Sequence, residues 1–120
     1  MMRIILASKI SIATVTSKEL FYEGSITIDK EIIEKADLKP GEKVEVLNLN
    51  NGARIQTYVI EGERNSGIIC LNGPAARFFE VGDKVIILCY RLVDESEVQN
   101  HKVRFVKLDE KNRVISTTLR

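Results

Sequence analysis

The sequence predicts a mainly β protein, a small pseudo-symmetric barrel with short helices. Three observations carry that reading. Apolar residues come in short runs rich in β-branched side chains, as in Lys9-Ile10-Ser11-Ile12-Ala13-Thr14-Val15-Thr16. Asn51-Gly52 stands between two such runs, the strongest short-range hairpin signal. The stretch Lys39-Pro40-Gly41-Glu42-Lys43-Val44-Glu45-Val46-Leu47 is echoed by Glu80-Val81-Gly82-Asp83-Lys84-Val85-Ile86-Ile87-Leu88. A helix–turn–strand unit used twice suits a closed barrel, which also removes exposed sheet edges.

The elements follow in order. Arg3-Ile4-Ile5-Leu6 is an apolar run, Lys9–Thr16 an alternating strand, and Gly24-Ser25-Ile26-Thr27-Ile28 a short one. The period then changes: Asp29 caps a short helix with Ile32, Ile33 and Ala36 on one face, and Pro40-Gly41 turns the chain out of it. Val44, Val46 and Leu47 open the hairpin, and Ala53–Ile60 returns. Ile68-Ile69-Cys70-Leu71 reads as a buried strand broken by Asn72-Gly73-Pro74, with one or two helical turns over Ala75–Phe79. Val85–Leu92 is a strand, Glu95–Asn100 a polar stretch compatible with a helical turn, and Val103–Val106 with Val114-Ile115 a late strand pair around Asp109–Asn112. The last few residues are expected to fray.

The chain has 120 residues, 18 Lys+Arg against 17 Asp+Glu, one His, two Cys and no Trp. That fits one compact domain over residues 1–120, too small to enclose a deep private cavity easily. A formal net charge of +1 gives no electrostatic case for a nucleic-acid partner. No apolar run approaches the ~20 residues of a membrane span, and the stretch before Ser8-Lys9 is too short for a signal peptide. Cys70 and Cys89 lack the spacing for a disulfide framework or a zinc site and read as buried thiols, so no metal is expected. A cytoplasmic domain follows as the expectation. His101 sits in a polar stretch and reads as an exposed surface residue, which argues against His-driven acid–base chemistry.

Three blocks could carry chemistry: Tyr22-Glu23-Gly24-Ser25, Arg54-Ile55-Gln56-Thr57-Tyr58 and Asn72-Gly73-Pro74-Ala75-Ala76. On a strand Arg54, Gln56 and Tyr58 share one face and Thr57 takes the other. Singly, each block is an ordinary turn or a solvated strand face.

Together they do more. Lys9-Ile10, Ala13-Thr14-Val15-Thr16, Leu20-Phe21-Tyr22-Glu23-Gly24-Ser25-Ile26-Thr27-Ile28-Asp29, Asn51-Gly52-Ala53-Arg54, Thr57-Tyr58, Asn72-Gly73-Pro74-Ala75-Ala76-Arg77 and Val81-Gly82-Asp83-Lys84-Val85-Ile86-Ile87 occur in order. This pattern, over roughly residues 2 to 95, resembles the pyruvoyl-dependent aspartate 1-decarboxylases. The resemblance implies a double-psi β-barrel, a homotetramer with sites between subunits, and conversion of L-aspartate to β-alanine and CO2 for pantothenate, the coenzyme A precursor. It implies autocatalytic cleavage between Gly24 and Ser25 into a β chain of residues 1–24 and an α chain of residues 25–120. It leaves open whether a maturation factor assists. Gly24 lacks a Cβ and tolerates a strained conformation, and the Ser25 hydroxyl can attack its carbonyl. By the same resemblance Ser25 becomes the pyruvoyl group, which forms a Schiff base with substrate and serves as electron sink. Thr57 assists processing and touches substrate, Tyr58 donates the proton, and Lys9, Arg54, Asn72, Gly73, Pro74 and Ala75 bind substrate. Tyr22 lies beside the cleavage point and would close the pocket.

The chain departs from the family at three places: Ser11 stands where His is common, Gln56 where Ser is common, and Pro74 where the family loop has Ala. Pro74 offers no N–H to a ligand. Two other readings stay open on sequence alone: a barrel that only binds, and a decarboxylase of another amino acid. Cleavage separates the first from the main reading. Two cations, Lys9 and Arg54, favour a dicarboxylic substrate over the second.

Overall fold

A computed structural model describes residues Met1–Arg120. Nine strands form one mixed sheet: β1 (Met2–Thr14), β2 (Ser17–Glu19), β3 (Ile26–Asp29), β4 (Lys43–Asn48), β5 (Arg54–Gly62), β6 (Ile69–Asn72), β7 (Lys84–Asp94), β8 (Arg104–Leu108) and β9 (Val114–Leu119). Their order is β2-β6-β3-β5-β4-β7-β1-β8-β9. Helix α1 (Lys30–Lys35) follows β3, and 3₁₀ turns cover Gly73–Phe78 and Glu95–Asn100.

The echoed segments are a structural two-fold. Val15 donates its N–H to the Asp83 carbonyl at 2.9 Å and accepts from Gly82 N at 2.8 Å, after which the chain crosses to run as β2 parallel to β6. In the other half Val59 donates to the Glu42 carbonyl at 3.1 Å and accepts from Gly41 N at 2.7 Å, and β5 runs on parallel to β3. Both turns need a left-handed residue, Gly41 at φ +88 and Gly82 at φ +95. In both, the acidic side chain accepts the amide three residues earlier: Glu42 from Lys39 N at 3.1 Å, Asp83 from Glu80 N at 2.9 Å. The acid in the motif is there to close its own turn. The hydrogen bond from Glu80 N holds the Asp83 carboxyl below the usual range, with help from Asn48.

Alternation then sets the core. Val44 and Val46 on β4 and Val85 and Ile87 on β7 point inward, joined by Ile10, Ile26, Ile28, Val59, Ile69, Leu71 and Phe79. Helix α1 adds Ile32 and Ile33. Asp29 caps α1 through Glu31 N at 2.8 Å, as predicted. Its carboxylate also accepts from Asn65 N (2.9 Å) and Gly67 N (2.8 Å), tying the helix start to the β5–β6 loop. Both cysteines are buried. Burial, followed by the nearby Glu42 charge, pushes the Cys89 thiol up to about 12, so it stays protonated.

Several local expectations change. The two N-terminal segments are one strand, because register shifts against β7 between Leu6 and Ser8 and between Ile10 and Ala13 absorb the break in alternation. Strand β2 has no apolar signal and exists because β6 supplies its ladder. Strand β3 begins at Ile26, not Gly24, since Gly24 and Ser25 have positive φ. The C-terminus does not fray: β9 reaches Leu119, Arg120 exchanges both backbone bonds with Val103, and its guanidinium lies 4.4 Å over the Phe105 ring. His101 is not a free surface group. The preceding 3₁₀ turn folds it onto β1, where its Nε2 donates to the Leu6 carbonyl at 2.7 Å and it is half-buried.

Asn112, in the β8–β9 turn, is buried and acts as a side-chain strand. Its Oδ1 accepts from Thr14 N at 2.8 Å, and its Nδ2 donates to the Thr14 and Gly67 carbonyls at 2.8 Å each. Asn112→Ala leaves these groups without partners, and a destabilisation of about 3 kcal/mol is expected. Urea unfolding of the two proteins checks it; a loss under about 1 kcal/mol would show that water replaces the amide.

Candidate active site

Ser25 is the chemical anomaly of the fold. It is a fully buried serine, 0% exposed, with φ +91, a conformation that costs a non-glycine residue about 1–3 kcal/mol. Gly24 before it has φ +145. Two consecutive residues thus leave the ordinary backbone regions at one peptide bond. The ladder to β6 holds them there: Asn72 N donates to the Ser25 carbonyl at 3.0 Å, one step beyond the Ile26–Leu71 pair.

The Asn72 side chain completes the grip. Its Nδ2 donates to Ser25 Oγ at 2.9 Å and to Thr27 Oγ1 at 3.0 Å, and its Oδ1 accepts from the Cys70 thiol at 3.3 Å. Gly73, at φ +68, lets the next turn pass directly beneath the strained bond. A Cβ there would come within 2.5 Å of the Tyr22 carbonyl oxygen, 2.8 Å of Gly24 N and 2.9 Å of Gly24 Cα. Pro74 stands in the first turn of the 3₁₀ segment, where no N–H is needed. Ala75 packs against the core. An open cleft of about 660 Å³ lies alongside, lined by Leu20, Phe21, Tyr22, Glu23, Gly73, Pro74 and Arg77.

The other predicted residues are partly gathered. On β5, Arg54, Gln56 and Tyr58 face outward and Thr57 is turned the other way and half-buried, as the alternation requires. The parallel β3–β5 register pairs Ile26 with Val59. That is the first pair of the ladder, so Thr57 and Tyr58 lie just before it on β5, as Gly24 and Ser25 lie just before it in the segment leading into β3. Arg54, four residues before Tyr58, is about 13 Å away along the strand. Its guanidinium meets Glu45 Oε1 at 2.9 Å. Lys9 sits on β1 between Leu88 of β7 and Phe105 of β8, strands that do not pair with β3. Sequence reasoning missed Thr27 and the second task of Cys70; the only signal was that Cys70 and Asn72, two apart on a strand, share a face.

Fold and site together define the class: a double-psi β-barrel with a strained Gly-Ser bond whose buried serine is held by an asparagine. A computationally designed double-psi β-barrel protein, msDPBB_sym2, matches with TM-score 0.50 over 65% of this chain and 95% of its own, at 20% identity, a likeness of fold alone. The sequence model of the aspartate decarboxylase family matches residues 1–115. Aspartate 1-decarboxylase of Thermoanaerobacter pseudethanolicus is 53% identical over 97% of this chain and 99% of its own length. Those of Bacillus cereus (strain G9842) and Listeria monocytogenes are 50% and 53% identical over 96% and 95% of this chain, and 91% and 90% of theirs. The chain belongs to the aspartate decarboxylase family. It is an enzyme, which removes the reading of a barrel that only binds. No helix is long and apolar enough to cross a membrane.

Proposed function

We propose that this chain decarboxylates L-aspartate to β-alanine and CO2 in the cytoplasm, on the route to pantothenate, with a pyruvoyl group made from its own Ser25. The observation that carries the proposal is the Gly24–Ser25 bond with positive φ on both sides, a fully buried Ser25 and its Oγ held by Asn72.

In the processing step Ser25 Oγ attacks the Gly24 carbonyl carbon, and its proton goes to the departing nitrogen, leaving an ester. The Thr57 hydroxyl takes the role of donor for the oxygen that becomes negative. Loss of the Ser25 α-proton expels the Gly24 carboxylate and leaves a dehydroalanine, and one water then releases ammonia. The balance is one water consumed and no oxidant or reductant needed. The surroundings of residue 25 fit the resulting ketone, because Asn72 Nδ2 can donate to a carbonyl oxygen as it does to the hydroxyl. That group, once formed, supplies an electron sink for the leaving carboxylate.

The remaining residues bind, orient and move protons. Tyr22–Gly24 packs against Gly73 at the edge of the adjacent cleft, and cleavage frees its end there. Arg54 and Lys9 between them hold the two carboxylates of L-aspartate. The Tyr58 phenol returns a proton to carbon after CO2 departs. Asn72, Gly73, Pro74 and Ala75 line the substrate pocket, with Gly73 and Ala75 the only amide donors there besides Asn72. Arg54 Nη1 is engaged by Glu45, which leaves the other edge of the guanidinium for substrate.

We propose a homotetramer with sites between subunits, one protomer supplying cations to its neighbour's residue 25. The outer face carrying Arg54 continues into a groove lined by Ile4, Tyr90 and Leu92, with Glu45 and Gln56 shared between them. Ile4 and Leu92 are exposed there, and Phe21 at 97% lies beside the cleavage segment. Apolar exposure of this kind fits a second copy.

Intact mass and a substrate panel test the proposal. Fragments of residues 1–24 and 25–120 are expected, the second with a blocked N-terminus, together with β-alanine formed from L-aspartate. A chain that stays whole under all conditions, with or without cell extract, rejects the cofactor. Preference for glutamate or a neutral amino acid rejects the substrate.

A further inference from the structure

We infer that Cys70 is a positioning residue for bond breaking at Gly24–Ser25, acting through the Asn72 carboxamide. The inference rests on the self-cleavage proposed above. A carboxamide has two ends of nearly equal shape, and its neighbours decide which end faces which partner. Two of the three neighbours here are hydroxyls, Ser25 and Thr27, which donate or accept equally well. Only the Cys70 thiol discriminates: it donates to Oδ1 at 3.3 Å, whereas the reversed amide would set an N–H against a weak sulfur acceptor. Ser25, Cys70 and Asn72 are 0%, 5% and 3% exposed, so water cannot substitute for a lost partner.

The orientation matters to the chemistry. With Nδ2 toward Ser25, the hydroxyl oxygen accepts a hydrogen bond and is stabilised as its proton leaves and negative charge gathers on it. With Oδ1 toward Ser25, the same proton would be held and the developing charge repelled. In this arrangement Thr27 Oγ1 takes the second Nδ2 proton, so both amide protons are used.

The test compares Cys70→Ser, which keeps a donor, with Cys70→Val, which fills the space without one. Appearance of the 25–120 fragment is followed by intact mass. Cys70→Ser is expected within about twofold of wild type and Cys70→Val about tenfold slower, with thermal midpoints within a few degrees of each other. Wild-type cleavage in Cys70→Val, or equal slowing in both variants, overturns the inference, the second by reducing Cys70 to packing. A wild-type chain that never cleaves counts against the self-cleavage reading instead. In such an intact chain the Asn72 side-chain NMR signals still decide: one NH2 set in wild type and Cys70→Ser but two in Cys70→Val supports positioning, and one set in all three overturns it.

Discussion

Ser25→Ala is expected to yield a folded, uncleaved chain of residues 1–120 with no β-alanine production. On the proposed mechanism the hydroxyl is both the nucleophile that breaks the Gly24–Ser25 bond and the source of the group made afterwards, so no other residue can stand in for it. The fold should persist, because the strain at φ +91 and the ladder bond from Asn72 N to the residue 25 carbonyl are backbone properties. One Asn72 Nδ2 proton loses its acceptor, which costs about 1–3 kcal/mol in a dry site. A modestly lower thermal midpoint and a single species in intact mass are therefore the expected pair of results. Cleaved product from the alanine chain would show that another group breaks the bond.

Gly73→Ala is expected to slow cleavage on the order of 100-fold while leaving a folded barrel. The new Cβ would fall 2.5 Å from the Tyr22 carbonyl oxygen and 2.8 Å from Gly24 N. Both are backbone atoms, so the segment Tyr22–Gly24 must move rather than a side chain swing aside. A displacement near 1 Å at a reacting bond costs about 10²-fold in rate. Gly41→Ala is the control. It also carries positive φ, +88, but a Cβ there meets nothing within 4 Å. It should lose stability without slowing cleavage. Equal slowing in both variants would trace the effect to general destabilisation, and a Gly73→Ala chain that cleaves normally would show that the Gly73–Gly24 contact is not needed.

The candidate site was unevenly legible. Gly24-Ser25, Arg54, Thr57 and Tyr58 stood out as a pattern, and the inward–outward split on β5 followed from strand alternation alone. The Asn72–Ser25 bond did not, because its partners are 47 residues apart and meet only through the antiparallel β3–β6 ladder. His101 was misjudged for a related reason: its polar neighbours suggest solvent, but its partner is Leu6, 95 residues away. The strand β2 was missed because Ser17-Lys18-Glu19 has no preference of its own and takes its conformation from β6.

What neighbours in the chain decide could be read directly. The Asp29 cap, the turns at Gly41 and Gly82 and the hairpin at Asn51-Gly52 each close within a few residues, so their chemistry is written locally. The doubled motif announced the two-fold for the same reason, since each copy builds its turn from its own Gly and acid. Closure of the barrel is another matter. Asn112 pins Thr14 across 98 residues, and Ser25 is driven to positive φ by ladders on strands from distant parts of the chain. Strain at one bond is the sum of many long-range contacts, and only the assembled structure could put it at Gly24–Ser25.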